Sequence, residues 1–162
     1  MVDTDRFAQF FEERYARLVR ACFLVVLDRG EAEEVASEAF TVLWPRWPDL
    51  ANEDHAGGYV YTTAMRLCSK RLVQSNRELV GDIPEAAHDD DIDIAASKRE
   101  VFAALATLPL RQRQSIVLRD WAGFQTDEVA EMLGMRASTV RLHLARGRAG
   151  MRARLSTKEQ QP

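Results

Sequence analysis

Apolar residues recur at steps of three and four along most of this chain, which is the spacing of one face of an α-helix. In the first segment they are Phe7, Phe10, Phe11, Tyr15, Leu18, Val19, Cys22, Phe23 and Val26. Asp3 or Thr4 is expected to cap this first helix. A second helix is expected to open at Glu31. It should end or kink near Trp44, because Pro45 lacks an amide donor and clashes with the preceding turn.

A third helix is predicted from Tyr59 to Arg77, after a polar loop over residues 48–58. Its inward positions are Val60, Ala64, Leu67, Cys68 and Leu72. The pattern is then lost over residues 79–97, where a run of aspartates and Pro84 is typical of a solvated linker. A calcium-binding loop is the alternative interpretation of these acids, but the spaced ligands and closing Glu of an EF-hand are missing.

Helical periodicity returns at Lys98 and continues to about Thr107, where Leu108-Pro109 breaks it. A further helix is predicted from Arg111 to Trp121. With the two helices described next, the second part of the chain has four helices. The fold class is therefore predicted to be all-α, with a three-helix domain and a four-helix domain joined by an acidic linker.

The last two helices form the most informative stretch, residues 123–154. Thr126 is a plausible N-cap, and Gly134 can adopt the left-handed conformation that ends a helix. A second cap is expected at Ser138 or Thr139. Two helices, a glycine corner and a basic second helix are typical of a helix-turn-helix, in which the second helix enters the major groove.

The second of these helices carries the chemistry expected of a DNA reader. Between Gly134 and Arg154 there are six arginines and neither Asp nor Glu. Arginine binds phosphate in a bidentate manner and pairs with the acceptor edge of guanine. We expect bases or nearby phosphates to be contacted by Ser138, Thr139, Arg141 and His143. The DNA backbone is expected to be contacted by Arg146 and Arg148. Arg136 is also expected to bind DNA. The alternative is a solvated basic helix that binds nothing.

The third helix combines aromatic and basic residues. Tyr59, Tyr61, Arg66 and Lys70 are left for solvent or a partner, and rings beside cations suit single-stranded nucleic acid. The alternative is that the Tyr rings, with Trp44 and Trp47, complete a small core.

The charge is distributed unevenly. Residues 1–78 carry 10 basic and 13 acidic side chains, residues 79–98 carry 1 and 6, and residues 99–162 carry 11 and 6. The net charge of −3 is too unfavourable for strong binding to duplex DNA by charge alone. We therefore expect weak DNA binding by the isolated chain and a need for a partner.

Several classes of protein are disfavoured by composition. Cys22 and Cys68 form no CxxC pair, which argues against zinc and indicates reduced thiols in the cytosol. The longest apolar run, residues 21–27, is too short to cross a bilayer, and no signal peptide is recognisable. No catalytic triad, metal cluster or phosphate loop is present, so we expect neither an enzyme nor a cofactor.

Two blocks of sequence resemble a known family. EAEEVASEAFTVLWPRW followed by AGGYVYTTAMRLCSKRLV is similar to the N-terminal domain, region 2, of bacterial sigma factors of the extracytoplasmic-function type. LPLRQRQSIVLRDWAGFQTDEVAEMLGMRASTVRLHLARGRAGMRARL resembles their C-terminal domain, region 4. The small actinobacterial branch is the most similar. The resemblance implies region 2 over residues 1–78, a linker over 79–97, region 4 over 98–156 and a disordered tail over 157–162.

The resemblance implies a dissociable subunit of RNA polymerase that directs promoter-specific initiation in the cytoplasm. Its partners would be core polymerase, through the clamp helices of the largest subunit and the flap, promoter DNA and, where one exists, an anti-sigma protein. Core polymerase would contact Glu34, Ser37, Glu38 and Thr41. The minus-ten element would be opened by Trp47, Asn52, Tyr59, Tyr61, Arg66 and Lys70. The helix over residues 137–149 would read the minus-thirty-five element, and the linker would thread toward the polymerase active-site channel.

The chain departs from the family pattern at Pro45, at Gly57-Gly58 and at Leu142, where a polar residue is common. A helix-turn-helix regulator that works without polymerase is the alternative function. It predicts specific duplex binding by the protein alone, whereas a sigma factor binds strongly only with core polymerase.

Overall fold

The computed structural model describes residues 3–50, 52–75 and 96–159, and within these ranges every regular element is helical. The N-terminal lobe comprises α1 (Thr4–Val26), α2 (Arg29–Leu43), a 3₁₀ helix (Trp44–Asp49) and α3 (Glu53–Gln74). The C-terminal lobe comprises α4 (Ala96–Ala106), α5 (Leu110–Ile116), a π-helical turn (Val117–Trp121), α6 (Thr126–Leu133) and α7 (Ala137–Glu159). The all-α prediction is confirmed. Most of the predicted linker and part of the predicted tail lie outside the described residues.

The N-terminal helices begin at capping side chains. Asp3 Oδ1 accepts from the Arg6 amide at 3.0 Å, as predicted, and Asp28 caps α2 through the Glu31 amide at 2.8 Å. The predicted start of the third helix is wrong. It begins six residues before Tyr59, because Asn52 Oδ1 accepts from the His55 amide at 2.9 Å.

Aromatic rings fill one end of the N-terminal lobe. The helix ends before Pro45 as predicted, and the following 3₁₀ turn carries Trp47 into the core, where it is 8% exposed. The rings of Phe7 and Phe10 lie 5.4 Å and 5.1 Å from Trp47, centroid to centroid. The Trp44 ring meets Phe7 in a T-shaped contact, with centroids 4.7 Å apart, and remains 38% exposed.

The helix-turn-helix forms at the predicted place with different caps. Thr126 is the first residue of α6 and not its cap. Gln125 is the N-cap, and its backbone amide donates to Glu128 Oε2 at 2.8 Å. Gly134 adopts the left-handed conformation, with φ of 64°, as expected. Helix α7 begins at Ala137, so the caps predicted at Ser138 and Thr139 are wrong.

The second half of α7 packs closely on α5, because it presents glycine there. A Cβ atom added at Gly147 would lie 2.6 Å from Ile116 Cδ1. Real Cβ atoms do not approach other carbons so closely, so an alanine would require the Ile116 side chain or the helices themselves to shift.

Gly147→Ala is expected to lower the free energy of unfolding by about 1–2 kcal/mol, because the clash exceeds the gain in helix propensity. Ile116→Val removes the clashing methyl group, so the same glycine substitution should cost less than about half as much in that background. Urea denaturation of the four variants of this cycle provides the measurement. Equal costs in both backgrounds would contradict the steric explanation.

The two lobes pack directly on each other. Buried residues of both lobes form one continuous hydrophobic cluster, from Phe10 and Leu18 of α1 to Val140 and Leu144 of α7. Within the described residues, no helix combines the length and apolar character needed to cross a membrane.

Candidate nucleic-acid interface

The exposed face of α7 carries most of the residues predicted to bind DNA. Arg136, Ser138, Arg141 and Arg146 are all exposed, while Val140 and Leu144 are buried on the opposite face. Leu142 is 46% exposed on the same surface as Ser138, four residues away. The arginine-bearing surface is therefore not hidden by the packing of the lobes.

Two of the predicted base readers lie at the edge of this face. Thr139 and His143, one helical turn apart, are half-buried. His143 Nδ1 is buried and has no hydrogen-bond partner among the described residues. These two side chains are less available to a duplex than Ser138 and Arg141.

Arg148 already has a partner. Its Nε and Nη2 donate to the two carboxylate oxygens of Asp120, at 2.9 Å and 2.6 Å. This bidentate pair raises the pKa of Arg148 above its ordinary value. Arg148 therefore ties α7 to the π-helical turn, and a phosphate contact would have to compete with Asp120.

Helix α3 divides the residues predicted for strand opening between opposite faces. Tyr59, Arg66 and Lys70 follow one another at helical spacing, with Arg66 and Lys70 exposed and Tyr59 half-buried. Tyr61, expected at the surface, is 4% exposed, so that prediction is wrong. Residues two positions apart lie about 200° apart around a helix, so Tyr59 and Tyr61 cannot share a face. Burial raises the pKa of Tyr61, and the nearby charge of Arg17 opposes this effect.

Trp47 and Asn52 meet at a recess of about 210 Å³ at the amino end of α3. Asp3, Arg6, Pro48 and Leu50 complete its lining, and the Arg6 guanidinium lies 5.9 Å from the centroid of the Trp47 ring. The recess therefore combines an indole edge, an amide and a cation.

The residues predicted to contact polymerase share one exposed face of α2. All four, Glu34, Ser37, Glu38 and Thr41, are exposed. Arg71 of α3 pairs with Glu34 and, at 3.5 Å, with Glu38, and the Glu34 hydrogen bond raises the pKa of Arg71. Ion pairs at this exposure contribute little to stability, so the face is free to exchange partners.

Three polar residues that the sequence analysis did not single out connect the lobes. Arg113 and Gln114 are 2% and 0% exposed, and Arg17 reaches from α1 to the π-helical turn. A signal for Arg113 was present, because it precedes the apolar Ile116 and Val117 by three and four residues and so lies on the inward stripe.

The described residues offer no metal site, since no three His, Cys, Asp or Glu side chains in them cluster suitably. The two cysteines are fully buried. The pKa of the Cys22 thiol is raised well above its ordinary value, mainly by a hydrogen bond with Cys68 and also by burial. Such a thiol is a poor metal ligand and a poor nucleophile.

Comparison with known proteins supports the sigma-factor interpretation. The family described as "Sigma-70, region 4" matches residues 98–151. The RNA polymerase sigma-E factor of Streptomyces avermitilis is 26% identical, over 94% of this chain and 87% of that protein. The sigma-E factor of Streptomyces coelicolor is also 26% identical, over 98% and 91%. SigM of Mycobacterium tuberculosis, an ECF RNA polymerase sigma factor, is 25% identical over 90% and 76%.

A solved structure has the same fold. The sigma factor RpoE of Bartonella quintana, crystallised with the anti-sigma factor NepR, superposes with a TM-score of 0.75 at 17% identity, covering 94% of this chain and 98% of that one. The chain therefore carries a sigma-70 region 4 over residues 98–151, and the relatives that match nearly its whole length are RNA polymerase sigma factors, among them extracytoplasmic-function ones.

Proposed function

We propose that this chain binds core RNA polymerase and directs promoter-specific initiation, reading the minus-thirty-five element as duplex and opening the minus-ten element. The observation that carries the proposal is the exposed arginine face of α7 within a region 4 helix-turn-helix. Its arginines supply both phosphate contacts and guanine recognition. Its relatives are RNA polymerase sigma-E factors. By the same proposal, the chain acts in the cytoplasm together with RNA polymerase.

The N-terminal lobe would dock on core polymerase and open the minus-ten element. The exposed carboxylates of α2 suit a basic surface on the polymerase clamp helices, and the flap would receive the C-terminal lobe. Tyr59, Arg66 and Lys70 form a ring-and-cation stripe for the separated strand. The recess at Trp47 and Asn52 would accept one extruded base, which needs stacking and hydrogen bonds to offset its loss from the duplex.

The proposed function is tested by run-off transcription of a genomic library by core polymerase, with and without the chain. Defined start sites that appear only with the chain are expected. Specific duplex binding by the chain alone, with no change in transcription by core polymerase, would instead support a regulator independent of polymerase. An anti-sigma protein is a further proposed partner, for which the RpoE–NepR complex is the structural parallel.

Glu38→Arg is expected to weaken association with core polymerase about five- to tenfold, because it places a repulsive charge at the centre of the docking face. The fold should survive, since Glu38 is exposed and its pair with Arg71 is a surface one. Co-purification with core polymerase provides the measurement. Glu12→Arg is the matched control: Glu12 is an exposed acidic residue of the same lobe that lies on α1 and outside the α2 face. Equal behaviour of both variants would remove this face from the docking site.

Leu142 is expected to contact the methyl group of a thymine, because it is a large exposed apolar side chain among the DNA-facing residues of α7. Replacing that thymine by deoxyuridine removes one methyl group and should weaken holoenzyme binding about fourfold. In Leu142→Ala the same base change should have no effect. A scan of deoxyuridine through the minus-thirty-five thymines makes the measurement, and equal losses in both proteins would rule out the contact.

A further inference from the structure

Arg71 reaches from α3 to the docking face of α2, the surface formed by Glu34, Ser37, Glu38 and Thr41. Its Nη1 donates to Glu34 Oε2, and its Nη2 lies 3.5 Å from Glu38 Oε2. One guanidinium therefore bridges two carboxylates that lie one helical turn apart. Both carboxylates of the docking face already hold a cation of the same chain.

The three charged side chains differ in their exposure to solvent. Those of Glu34 and Glu38 are 68% and 48% exposed, whereas that of Arg71 is 27% exposed. Arg71 therefore reaches the carboxylates from the α3 side and leaves much of their surface open. A cation that arrives from solvent can contact both carboxylates and compete with Arg71 for them.

A groove beside Arg71 leaves room for its side chain to move. The groove has a volume of about 410 Å³ and lies between α2 and the carboxyl end of α3. Its lining residues come from both helices: Glu31, Glu38, Leu67, Lys70, Arg71, Gln74 and Ser75. The guanidinium ends a long side chain with several rotatable bonds, so it can turn within this groove while the helices stay in place.

The ion pairs of Arg71 are weak enough to be exchanged. Pairs between exposed side chains contribute little to stability, because water screens the charges and ordering two long side chains costs entropy. Such pairs are intact in only a part of the molecules at equilibrium. Arg71 thus occupies the two carboxylates without locking them.

We infer that Arg71 is an internal competitor for the docking site of core polymerase: it neutralises Glu34 and Glu38 in the free chain, and a cation of the polymerase displaces it. This inference rests on the proposed function. A partner that needs free carboxylates has its apparent affinity reduced by the fraction of molecules in which they are free. If that fraction is about a third, Arg71 weakens docking about threefold.

Arg71→Gln is expected to strengthen association with core polymerase about threefold, because it removes the competing charge and keeps a polar side chain. Titration of the fluorescently labelled chain with core polymerase measures the dissociation constant. Arg71→Lys should fall between wild type and Arg71→Gln, because an ammonium group competes but cannot bridge two carboxylates as a guanidinium does. Arg20→Gln, which removes an exposed charge from α1, is the control for net charge and should bind as wild type does.

A mutant cycle separates competition from other effects of the substitution. In a chain that also carries Glu34→Gln and Glu38→Gln, Arg71 has no docking carboxylate to neutralise, and Arg71→Gln should no longer strengthen association. The gain should also disappear near 1 M salt, where charges are screened within about 3 Å. A change in the packing of α3 would persist at that salt concentration.

The outcomes distinguish the inference from the proposed function. If the wild-type chain does not associate with core polymerase, the proposed function fails. If it associates but neither Arg71 variant binds more tightly than Arg20→Gln, only the internal competition is overturned. A gain of equal size without Glu34 and Glu38 would also overturn it. Circular dichroism shows that each variant is folded, and Arg71→Lys alone suffices for the comparison if Arg71→Gln is not.

Discussion

Arg113→Ala is expected to lower the free energy of unfolding by about 3–5 kcal/mol, the largest effect of any single substitution considered. The change removes a buried cation and takes a donor from the carbonyl groups of Val25, Ala106 and Leu108; Leu105 O also loses Arg113 but still accepts from the Leu108 amide at 3.1 Å. Each buried carbonyl that loses its partner costs about 1–3 kcal/mol, less whatever water recovers. Chemical denaturation followed by circular dichroism measures the change.

Arg113→Lys should recover only part of this loss, because an ammonium group cannot direct donors to two helix ends at once. Arg99→Ala, at an exposed position of α4, should remain within about 0.5 kcal/mol of wild type. If Arg113→Ala lowers the free energy of unfolding by less than about 1 kcal/mol, the carbonyl groups find other hydrogen-bond donors in the variant.

Arg141→Ala is expected to cost about 1–3 kcal/mol of discrimination between the correct minus-thirty-five element and a scrambled one. Arg141 is exposed near the start of α7, where recognition helices meet bases, and it makes no ion pair with any residue that the structure describes. Holoenzyme binding to the two DNA sequences, at several salt concentrations, makes the measurement.

Arg146→Ala is the control for Arg141, since Arg146 is also an exposed arginine of α7 but lies five residues farther along the helix, where phosphate contacts are expected. It should weaken both DNA sequences alike and reduce the salt dependence by about one ion. If Arg141→Ala behaves in the same way, Arg141 binds phosphate and reads no base.

Local rules were sufficient to predict most of the helices. Asp3, Pro45, Pro109 and Gly134 act through their own backbone and side-chain chemistry, which does not depend on distant parts of the chain. The start of α3 was missed because Gly57 and Gly58 weaken a helix intrinsically. A Cβ at Gly57 would lie 3.0 Å from Arg14 Nη1, so the Arg14 guanidinium packs over this glycine in a contact that no local pattern reveals.

The site predictions also succeed where local rules decide exposure and fail where long-range contacts decide it. Exposure of Arg141, Arg146 and Glu38 follows from the helical period alone, and the structure places these residues at the surface. The burial of Tyr61 and Gln114 could not be predicted, because it depends on contacts between residues more than 40 positions apart, Tyr61 with Phe124 and Gln114 with Ser69. The DNA and polymerase contacts themselves remain predictions.

The missing side chain at Gly147 lets α7 pack closely on Ile116 and Gln112 of α5, so a side chain there could tilt α7. Ser138 lies nine residues earlier, about 14 Å along the helix. A tilt of about 5° at the glycine would therefore shift the reading end by about 1 Å, which is enough to misalign a bidentate contact with a base. If α7 reads the promoter as proposed, promoter choice would depend on the packing of α7 at Gly147, nine residues from Ser138.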